Sequence, residues 1–354
     1  MDLADILLEV LDKGASDLHL SVGLPPMVRL KGKLEPLDAQ RLETNDTREL
    51  IYSILTQEQR QRLETDWEID LSYSIPGKAR FRVNVFFQRN SLGAAFRLIP
   101  VEIKTIDELG LPKVLHSFAG RPRGFILVTG PTGSGKSTTL AAIIDEINSS
   151  KHDHIMTIED PIEFLHRHKS CIINQREVGA DTKSFNRALK SVLRQDPDVI
   201  LVGEMRDLET IQTALTAAET GHLVFATLHT QDCPQTIDRM IDVFPPHQQE
   251  QIRVQIASTI EGIVTQQLLL RRDGRDRCVA CEVLIPTPAV RNLIREGKTH
   301  QIYTTMQTGT KYGMQTMDFA LADLVRRNYI TRELAEKRSS NPEDLNRLLM
   351  TGAA

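Results

Sequence analysis

A glycine-rich run, placed between an apolar run and a helical pattern, is the feature that most constrains the fold of this chain. Residues 125–129 form an apolar run typical of a strand buried on both faces of a parallel sheet. The run Gly130-Pro131-Thr132-Gly133-Ser134-Gly135-Lys136-Ser137 follows, and residues 138–147 then show helical spacing. Strand, glycine-rich turn and helix in this order predict a phosphate-binding loop.

The residue types in this loop suit the phosphates of ATP. Glycines let backbone N–H groups turn toward phosphate oxygens, while Lys136 adds a positive charge and Ser137 supplies a hydroxyl for Mg²⁺. A plain glycine-rich turn is the alternative, and the flanking strand and helix disfavour it. We therefore predict an ATPase. Its predicted nucleotide-binding residues in this loop are Gly130, Pro131, Thr132, Gly133, Ser134, Gly135, Lys136, Ser137 and Thr138.

A glutamate follows a second predicted strand. Residues 199–202 are apolar, and Glu204 comes just past their carboxyl end. In nucleotide hydrolases a carboxylate at this position holds Mg²⁺, usually through water, or orients the attacking water. A solvated loop glutamate is the alternative. Because a phosphate loop precedes it, we expect Glu204 to serve catalysis and, with Ser137, the metal.

Acidic residues also crowd the turn after the strand predicted at 154–158. Glu159, Asp160 and Glu163 lie close together in sequence, which is unfavourable unless a cation is nearby or the groups face water. A role in the site is therefore motivated for each of the three, and solvated loop carboxylates are the alternative. These strands, with another at 223–228, alternate with helical segments. That order predicts an α/β fold with a parallel sheet and a ligand site at its carboxyl edge.

Two histidines flank the apolar residues 223–228. His229 follows their carboxyl end, on the side where the nucleotide is expected, and it could bond the γ-phosphate of ATP. His222 lies at the opposite end of the strand. A lone histidine is more often a satisfied structural residue, and this reading is favoured for His222. We expect His229 to be the catalytic one.

The length of 354 residues favours two domains. Residues 1–100 predict a small α+β unit, with a first helix over 6–11, a helix over 46–54 and alternating strands. Residues 101–112 predict a linker and hinge, because Pro100, Gly110 and Pro112 interrupt any regular pattern. The ATPase domain is predicted over 113–354, with helices from about residue 287 onward.

Composition excludes several classes of protein. The net charge is −4, so nucleic acid is not an expected partner. No apolar stretch approaches the roughly 20 residues that span a bilayer, and the first residues lack a basic flank, so we expect a cytoplasmic protein. The spacing of Cys278 and Cys281 is compatible with metal binding. However, a structural zinc site needs about four ligands, so the hypothesis that the two cysteines simply pack in a strand is favoured over a metal site.

The four elements together resemble the secretion ATPase superfamily, which has its Walker A loop, Asp box, Walker B segment and His box in this order. Residues 15–20 (ASDLHL), 289–296 (AVRNLIRE) and 313–318 (GMQTMD) resemble the type IV pilus retraction ATPases of the PilT family. Only Val290 departs from the family signature at 289–296, which has isoleucine there. A plain amphipathic helix is the alternative for that segment. The resemblance covers nearly the whole chain.

The resemblance implies a homohexameric motor that hydrolyses ATP to drive pilus retraction and twitching motility. It implies a PAS-like N-terminal domain packed on the RecA-like domain of a neighbouring subunit, with ATP between domains. It also implies an inner-membrane platform protein and the opposing extension ATPase as partners. The expected location is the cytoplasmic face of the inner membrane, with peripheral attachment.

The resemblance also implies roles for single residues. Lys136 and Ser137 bind phosphate and Mg²⁺, Glu204 serves the metal, and His229 senses the phosphate. Glu163 is the candidate base that orients water, although either Glu163 or Glu204 could polarise it. Charge compensation commonly needs an arginine beyond the loop lysine. The candidates at family positions are Arg82, Arg97, Arg194, Arg206 and Arg239, of which Arg82 and Arg97 are favoured.

Three alternatives stay open at this point. An extension or type II secretion ATPase of the same superfamily is disfavoured, because no four-cysteine metal insert is visible and the 289–296 segment is present. A nucleotide-binding regulatory module with low turnover would not need carboxylates past two separate strands. A nucleic-acid translocase is disfavoured by the acidic charge balance.

Overall fold

The computed structural model describes residues 2–30, 32–100, 102–274 and 276–351. The chain divides into two compact units, one up to Glu102 and the other from Ile103 onward. The linker predicted over 101–112 therefore begins at the division, but Ile106 and Leu111 are buried in the core of the second unit. Its use as a hinge stays a prediction.

The first unit is an α+β structure with one antiparallel sheet. Its elements are α1 (Leu3–Asp12), β1 (Asp17–Leu20), β2 (Met27–Leu30), β3 (Lys33–Pro36), α2 (Thr44–Ile54), α3 (Gln57–Asp66), β4 (Glu68–Ile75), β5 (Ala79–Gln88) and β6 (Ser91–Ile99). The six strands lie in the order β3-β2-β1-β6-β5-β4. Alternation decides the faces, because Leu18 and Leu20 of β1 enter the core while Asp17 and His19 point away from it.

Two elements of this unit lack an apolar period and were not predicted. All four residues of β3 are exposed, so the strand lacks an apolar alternation. Helix α3 buries only Leu63, and a capping box between Thr56 and Gln59 marks its start instead of an apolar stripe. The first helix is confirmed as α1, whose buried Ile6, Leu7 and Val10 follow the predicted spacing.

The second unit confirms the predicted α/β fold. Its elements are α4 (His116–Ala119), β7 (Gly124–Thr129), α5 (Lys136–Ser150), β8 (His154–Glu159), β9 (Ile172–Glu177), α6 (Phe185–Val192), β10 (Val199–Val202), α7 (Leu208–Glu219), β11 (Leu223–Leu228), α8 (Cys233–Asp242), α9 (Pro246–Thr259), β12 (Ile260–Leu270), β13 (Arg277–Leu284), α10 (Pro288–Arg295), α11 (Ile302–Gln307), α12 (Met317–Arg326), α13 (Arg332–Arg338) and α14 (Pro342–Thr351). The last five of these are helices, as predicted.

The seven strands of this unit lie in the order β13-β12-β7-β11-β10-β8-β9, and all pairs are parallel except β12 with β13. Every residue of β7, β10 and β11 is buried, because helices cover both faces of the sheet. The predicted buried strands are confirmed. In the part of the chain described above, no helix is both long and apolar enough to cross a bilayer.

Strands β9, β12 and β13 were not predicted in full. Polar residues interrupt the pattern in β12, where Gln266 is buried and its amide nitrogen donates to Thr139 Oγ1 at 2.8 Å. Strand packing of the cysteine pair is confirmed, since Cys278 and Cys281 both lie in β13. Residues three positions apart on a regular strand project from opposite faces, so the two sulfurs cannot chelate one ion together.

Asp318 organises the last helices of the chain. It is fully buried at the start of α12 and accepts hydrogen bonds from Ser339 Oγ at 2.5 Å, Ser340 N at 3.2 Å and Asn341 N at 3.0 Å. The Tyr303 hydroxyl lies 3.2 Å from Asp318 Oδ2. Burial and the nearby carboxylates raise the pKa of Tyr303, so it stays a neutral donor. One carboxylate therefore fixes the turn between α13 and α14.

Asp318→Asn should lower the free energy of unfolding of the second unit by about 2–4 kcal/mol, because an amide nitrogen would face N–H and O–H donors. Thermal unfolding followed by circular dichroism measures this as a drop in midpoint temperature. Asp323→Asn is the matched control on the same helix, where the lost pair with Arg327 is a surface pair worth at most about 1 kcal/mol. Equal midpoints for the two variants would contradict the account.

Candidate active site

The glycine-rich loop joins the buried strand β7 to helix α5. Gly135 is the N-cap of α5, and Lys136 is the first helical residue. The free N–H groups at a helix N-terminus, together with the helix dipole, attract phosphate. The loop that the sequence predicts therefore has the backbone that phosphate binding requires.

Gly130 cannot be replaced without moving the loop. Its φ is +136°, and a Cβ at this position would stand 2.4 Å from the backbone oxygen of Gln266 and 2.7 Å from Ser134 Oγ. Strand β12 therefore presses directly on the start of the loop. Its side chains support the same region, because Thr265 Oγ1 lies 2.8 Å from Thr129 Oγ1 at the end of β7.

Lys136 is folded back onto its own loop. Its Nζ donates to the backbone oxygens of Gly130 at 2.8 Å and Pro131 at 3.2 Å. Burial lowers the pKa of Lys136, and the nearby carboxylate of Glu204 opposes that shift. The ammonium group is thus half-buried, satisfied by carbonyls and close to a carboxylate. An incoming phosphate can replace the two carbonyl oxygens as acceptor.

Glu204 lies past the end of β10 and is held by both neighbouring strands. The preceding Gly203 donates its N–H to Ile158 O of β8 at 2.8 Å, and its oxygen accepts from Thr227 Oγ1 of β11 at 2.5 Å. These contacts fix the backbone that carries the carboxylate. The sequence predicted the position of Glu204 from the apolar strand before it, and the structure places it at the carboxyl edge of the sheet.

The carboxylate of Glu204 joins two cationic or polar groups. Arg206 donates to Glu204 Oε2 at 2.8 Å, and His229 Nε2 lies 3.0 Å from Glu204 Oε1. The hydrogen bond from Arg206, together with His229, keeps the pKa of Glu204 below its usual value, although partial burial opposes the shift. Glu204 is therefore an ionised acceptor, as metal binding or water orientation requires.

The two histidines that flank β11 have different environments. His229 follows the carboxyl end of the strand, its side chain is 45% exposed, and it contacts Glu204. His222 precedes the amino end, where its Nδ1 lies 2.9 Å from the backbone oxygen of Ala217. His222 has a structural contact at the edge of the sheet opposite to the loop. His229 alone of this pair reaches the carboxylate.

The carboxylates after β8 have different environments. Glu159 is buried and accepts from Thr157 Oγ1 at 2.7 Å and from Gln175 Nε2 at 3.2 Å. Burial raises the pKa of Glu159, while these hydrogen bonds oppose the shift. Glu163 is exposed, and its backbone N–H donates to Glu159 Oε2 at 3.4 Å. Asp160 is also exposed. The exposed carboxylate of Glu163 is accessible to water, and its role as base stays a prediction.

The candidate arginines fall into two groups. Arg82 and Arg97 lie directly opposite each other on β5 and β6 of the first unit, and Arg97 Nε donates to Asp17 Oδ1 at 2.9 Å. Their role at a nucleotide stays a prediction. In the second unit Arg206 binds Glu204, and the remaining candidates Arg194 and Arg239 are exposed.

The residues present suit Mg²⁺. Ser137 is an exposed residue with a hydroxyl, and a carboxylate such as Glu204 offers about four lone-pair sites, of which Arg206 and His229 use two. Mg²⁺ prefers oxygen ligands and keeps several waters, so one hydroxyl and one carboxylate beside the phosphates are a sufficient protein contribution. Ser137 and Glu204 are therefore the residues that would hold the ion.

Sequence reasoning missed the supporting shell. Thr265 and Thr129 meet only because β12 pairs in parallel with β7, and Gln266 of β12 meets Thr139 where α5 packs on the sheet. Thr227 and Gln175 meet their acceptors by the same kind of cross-strand pairing. No local pattern marks these positions. To find them, the pairing of β12 with β7 would have had to be predicted.

Comparison with known proteins identifies the family. The family model described as Type II/IV secretion system protein matches residues 2–350. The chain belongs to this family. It is 51% identical to the type IV pilus retraction ATPase PilT of Pseudomonas aeruginosa, over 97% of this chain and 100% of that protein. It is also 48% identical to a twitching motility protein of Neisseria gonorrhoeae, over 91% of this chain and 86% of that protein.

A solved structure agrees with this family membership. A crystal structure of the pilus retraction motor PilT with bound ADP is similar to this chain at a TM-score of 0.92 and 50% sequence identity. The similarity covers 98% of this chain and 99% of that one. The resemblance to the PilT family and the α/β fold are confirmed.

Gly130→Ala should weaken the binding of a fluorescent ATP analogue by at least about tenfold. An alanine held at this positive φ is strained by about 1–3 kcal/mol, and its Cβ also collides with the backbone oxygen of Gln266. Fluorescence titration measures the dissociation constant. Gly120→Ala is the matched control, since its Cβ would meet only Ser117 O at an ordinary 3.6 Å. Unchanged binding by the Gly130 variant would show that the loop is not the nucleotide site.

Proposed function

We propose that this chain is an ATPase that hydrolyses ATP to power type IV pilus retraction, and with it twitching motility. The observation that carries the proposal is its near-full-length likeness to a pilus retraction ATPase at 51% identity. The geometry at the carboxyl edge of the sheet supports it, because Lys136, Glu204 and His229 lie together where ATP phosphates would bind.

The loop performs the binding step. Phosphate oxygens of ATP accept hydrogen bonds from the backbone N–H groups around Gly133 and Gly135 and from the first turn of α5. Lys136 leaves the oxygens of Gly130 and Pro131 and donates to phosphate instead, so its charge stays satisfied throughout. Mg²⁺ held by Ser137 and Glu204 would neutralise charge on the phosphates.

The neighbouring side chains perform the hydrolytic step. Glu163 orients the attacking water as the candidate base, while Glu204 is the second candidate for that role. His229, fixed by its contact with Glu204, donates to the terminal phosphate and responds to its loss. Arg82 and Arg97 supply positive charge that stabilises the negative charge of the transferred phosphoryl group. Phosphoryl transfer needs mainly positioning and charge stabilisation, and each of these residues supplies one of the two.

The proposal includes the assembly of the motor. The chain forms a homohexamer and acts on an inner-membrane platform protein at the cytoplasmic face of that membrane, with peripheral attachment. It opposes an extension ATPase and does not bind nucleic acid. Closure and release of the domains around ATP, with residues 101–112 as hinge, convert hydrolysis to motion. The likeness to the retraction motors and the net charge of −4 support these points.

Lys136→Ala should reduce ATP hydrolysis by at least about a hundredfold, because the variant leaves developing phosphate charge without its cation. Phosphate release from ATP by the purified full-length chain measures the rate. Lys190→Ala removes a surface lysine paired with Glu209 and should keep the wild-type rate. Full turnover by the Lys136 variant would disprove the assigned site.

Deletion of the gene in its own cells should leave pili on the surface and abolish their retraction. Fluorescently labelled pili, followed by microscopy, report both properties in one experiment. The wild-type gene should restore retraction, and the Lys136→Ala gene should not. Cells without surface pili would instead identify an extension motor.

A further inference from the structure

A buried carboxylate at the far strand of the sheet has no part in the mechanism above. Glu282 lies in β13 and is 1% exposed. Burying a carboxylate is costly unless hydrogen bonds satisfy it. Burial raises its pKa to about 6, although backbone donors oppose the shift. A group kept under these conditions needs a structural or functional reason.

Both oxygens of Glu282 accept hydrogen bonds from helix starts. Oε1 accepts from Cys233 N at 2.7 Å, and Oε2 accepts from Met317 N at 3.2 Å. Cys233 is the first residue of α8, and Met317 is the first residue of α12. The side chain therefore ties the positive ends of two helices to one point on the sheet.

Helix α12 is the fixed side of this connection. The backbone of Gln315 exchanges two hydrogen bonds with Val283, at 2.8 and 3.1 Å, and its side chain donates to Cys281 O at 2.7 Å. Asp318 then joins α12 to the turn between α13 and α14. The start of α12 is thus anchored on β13 independently of Glu282.

Helix α8 is the side that reaches the candidate active site. Its first turn follows His229 closely in the chain, and Thr236 Oγ1 in that turn lies 2.6 Å from Thr230 Oγ1, which precedes the helix. Asp232 caps the helix by accepting from Gln235 N at 2.6 Å. His229 therefore lies in a short segment whose two ends are Leu228, paired with Thr129 of β7, and the start of α8.

The same layer continues to the phosphate loop. Glu282 is directly opposite Thr265 of β12, and Thr265 is directly opposite Thr129 of β7. Cys233 Sγ lies 3.7 Å from Thr265 Oγ1. The threonine pair would hold the end of β7 even without Glu282. Losing Glu282 should therefore move α8 and leave the loop in place.

We infer that Glu282 is a positioning residue for His229, which it holds at Glu204 by anchoring the first N–H of α8 to the sheet. The inference rests on the proposed ATPase function. It assigns a role in the hydrolytic step to a residue outside the nucleotide motifs. Binding of ATP by the loop does not depend on it.

The test compares Glu282→Gln with wild type in steady-state ATP hydrolysis by the full-length chain. A glutamine replaces one of the two carboxylate oxygens with an NH2 group, which faces Cys233 N or Met317 N as a donor. The turnover number kcat should fall at least about tenfold, since small misplacement of a catalytic group is costly. The KM for ATP should stay within about twofold, because substrate binding by the loop is intact.

Glu261→Gln is the matched control. Glu261 is a partly buried carboxylate at the amino end of β12, where it accepts from Arg291 at 2.7 Å. That variant also loses a carboxylate from this side of the sheet, and its kcat should remain within about twofold of wild type. If Glu282→Gln fails to fold, Glu282→Met takes its place, since it removes both acceptors without burying an amide.

Hydrogen exchange supplies a second readout. The peptide spanning residues 229–236 should exchange faster in the Glu282 variant, while peptides from residues 130–140 should be unchanged. A folded variant with wild-type kcat, or with unaltered exchange at 229–236, would overturn the inference. Absence of hydrolysis in the wild-type chain would refute the proposed function instead, so the two failures are distinguishable.

Discussion

Parallel pairing brings the carboxyl ends of β7, β11, β10 and β8 to one edge of the sheet. Each strand is too apolar to meet water, so the first polar residues after it collect at that edge. The loop glycines, Glu204, His229 and the acidic turn at 159–163 meet there for this reason. The location of the site therefore depends on the topology of the sheet more than on any single contact.

Charge balance at this edge explains the contacts within the site. Lys136 is half-buried beside Glu204, and a buried ammonium group is stable only with acceptors around it. The oxygens of Gly130 and Pro131 fill that need in the absence of phosphate. Arg206 and His229 do the same for the Glu204 carboxylate. Each of these charged groups thus has a partner, and phosphate can replace the two carbonyl oxygens as the acceptors of Lys136.

The sequence was informative where chemistry is local. The loop, the strands before Glu204 and His229, and the helices after residue 287 all follow from spacing within a few residues, and the structure agrees. Gln266 and Glu282 were not predicted because their partners, Thr139 of α5 and Cys233 of α8, are distant in the chain and meet them only where helices pack on the sheet. The exposed strand β3 and the polar helix α3 were not predicted because neither shows an apolar period. The positions of Gln266 and Glu282 therefore depend on the topology of the fold, which local sequence patterns do not specify.

A crystal structure with a non-hydrolysable ATP analogue and Mg²⁺ tests the central claim most directly. The account predicts that Lys136 Nζ leaves the oxygens of Gly130 and Pro131 and contacts the terminal phosphates, with Mg²⁺ within reach of Ser137 and Glu204 and with His229 facing the γ-phosphate. An analogue bound away from the loop, with Lys136 still on its own carbonyl oxygens, would contradict it.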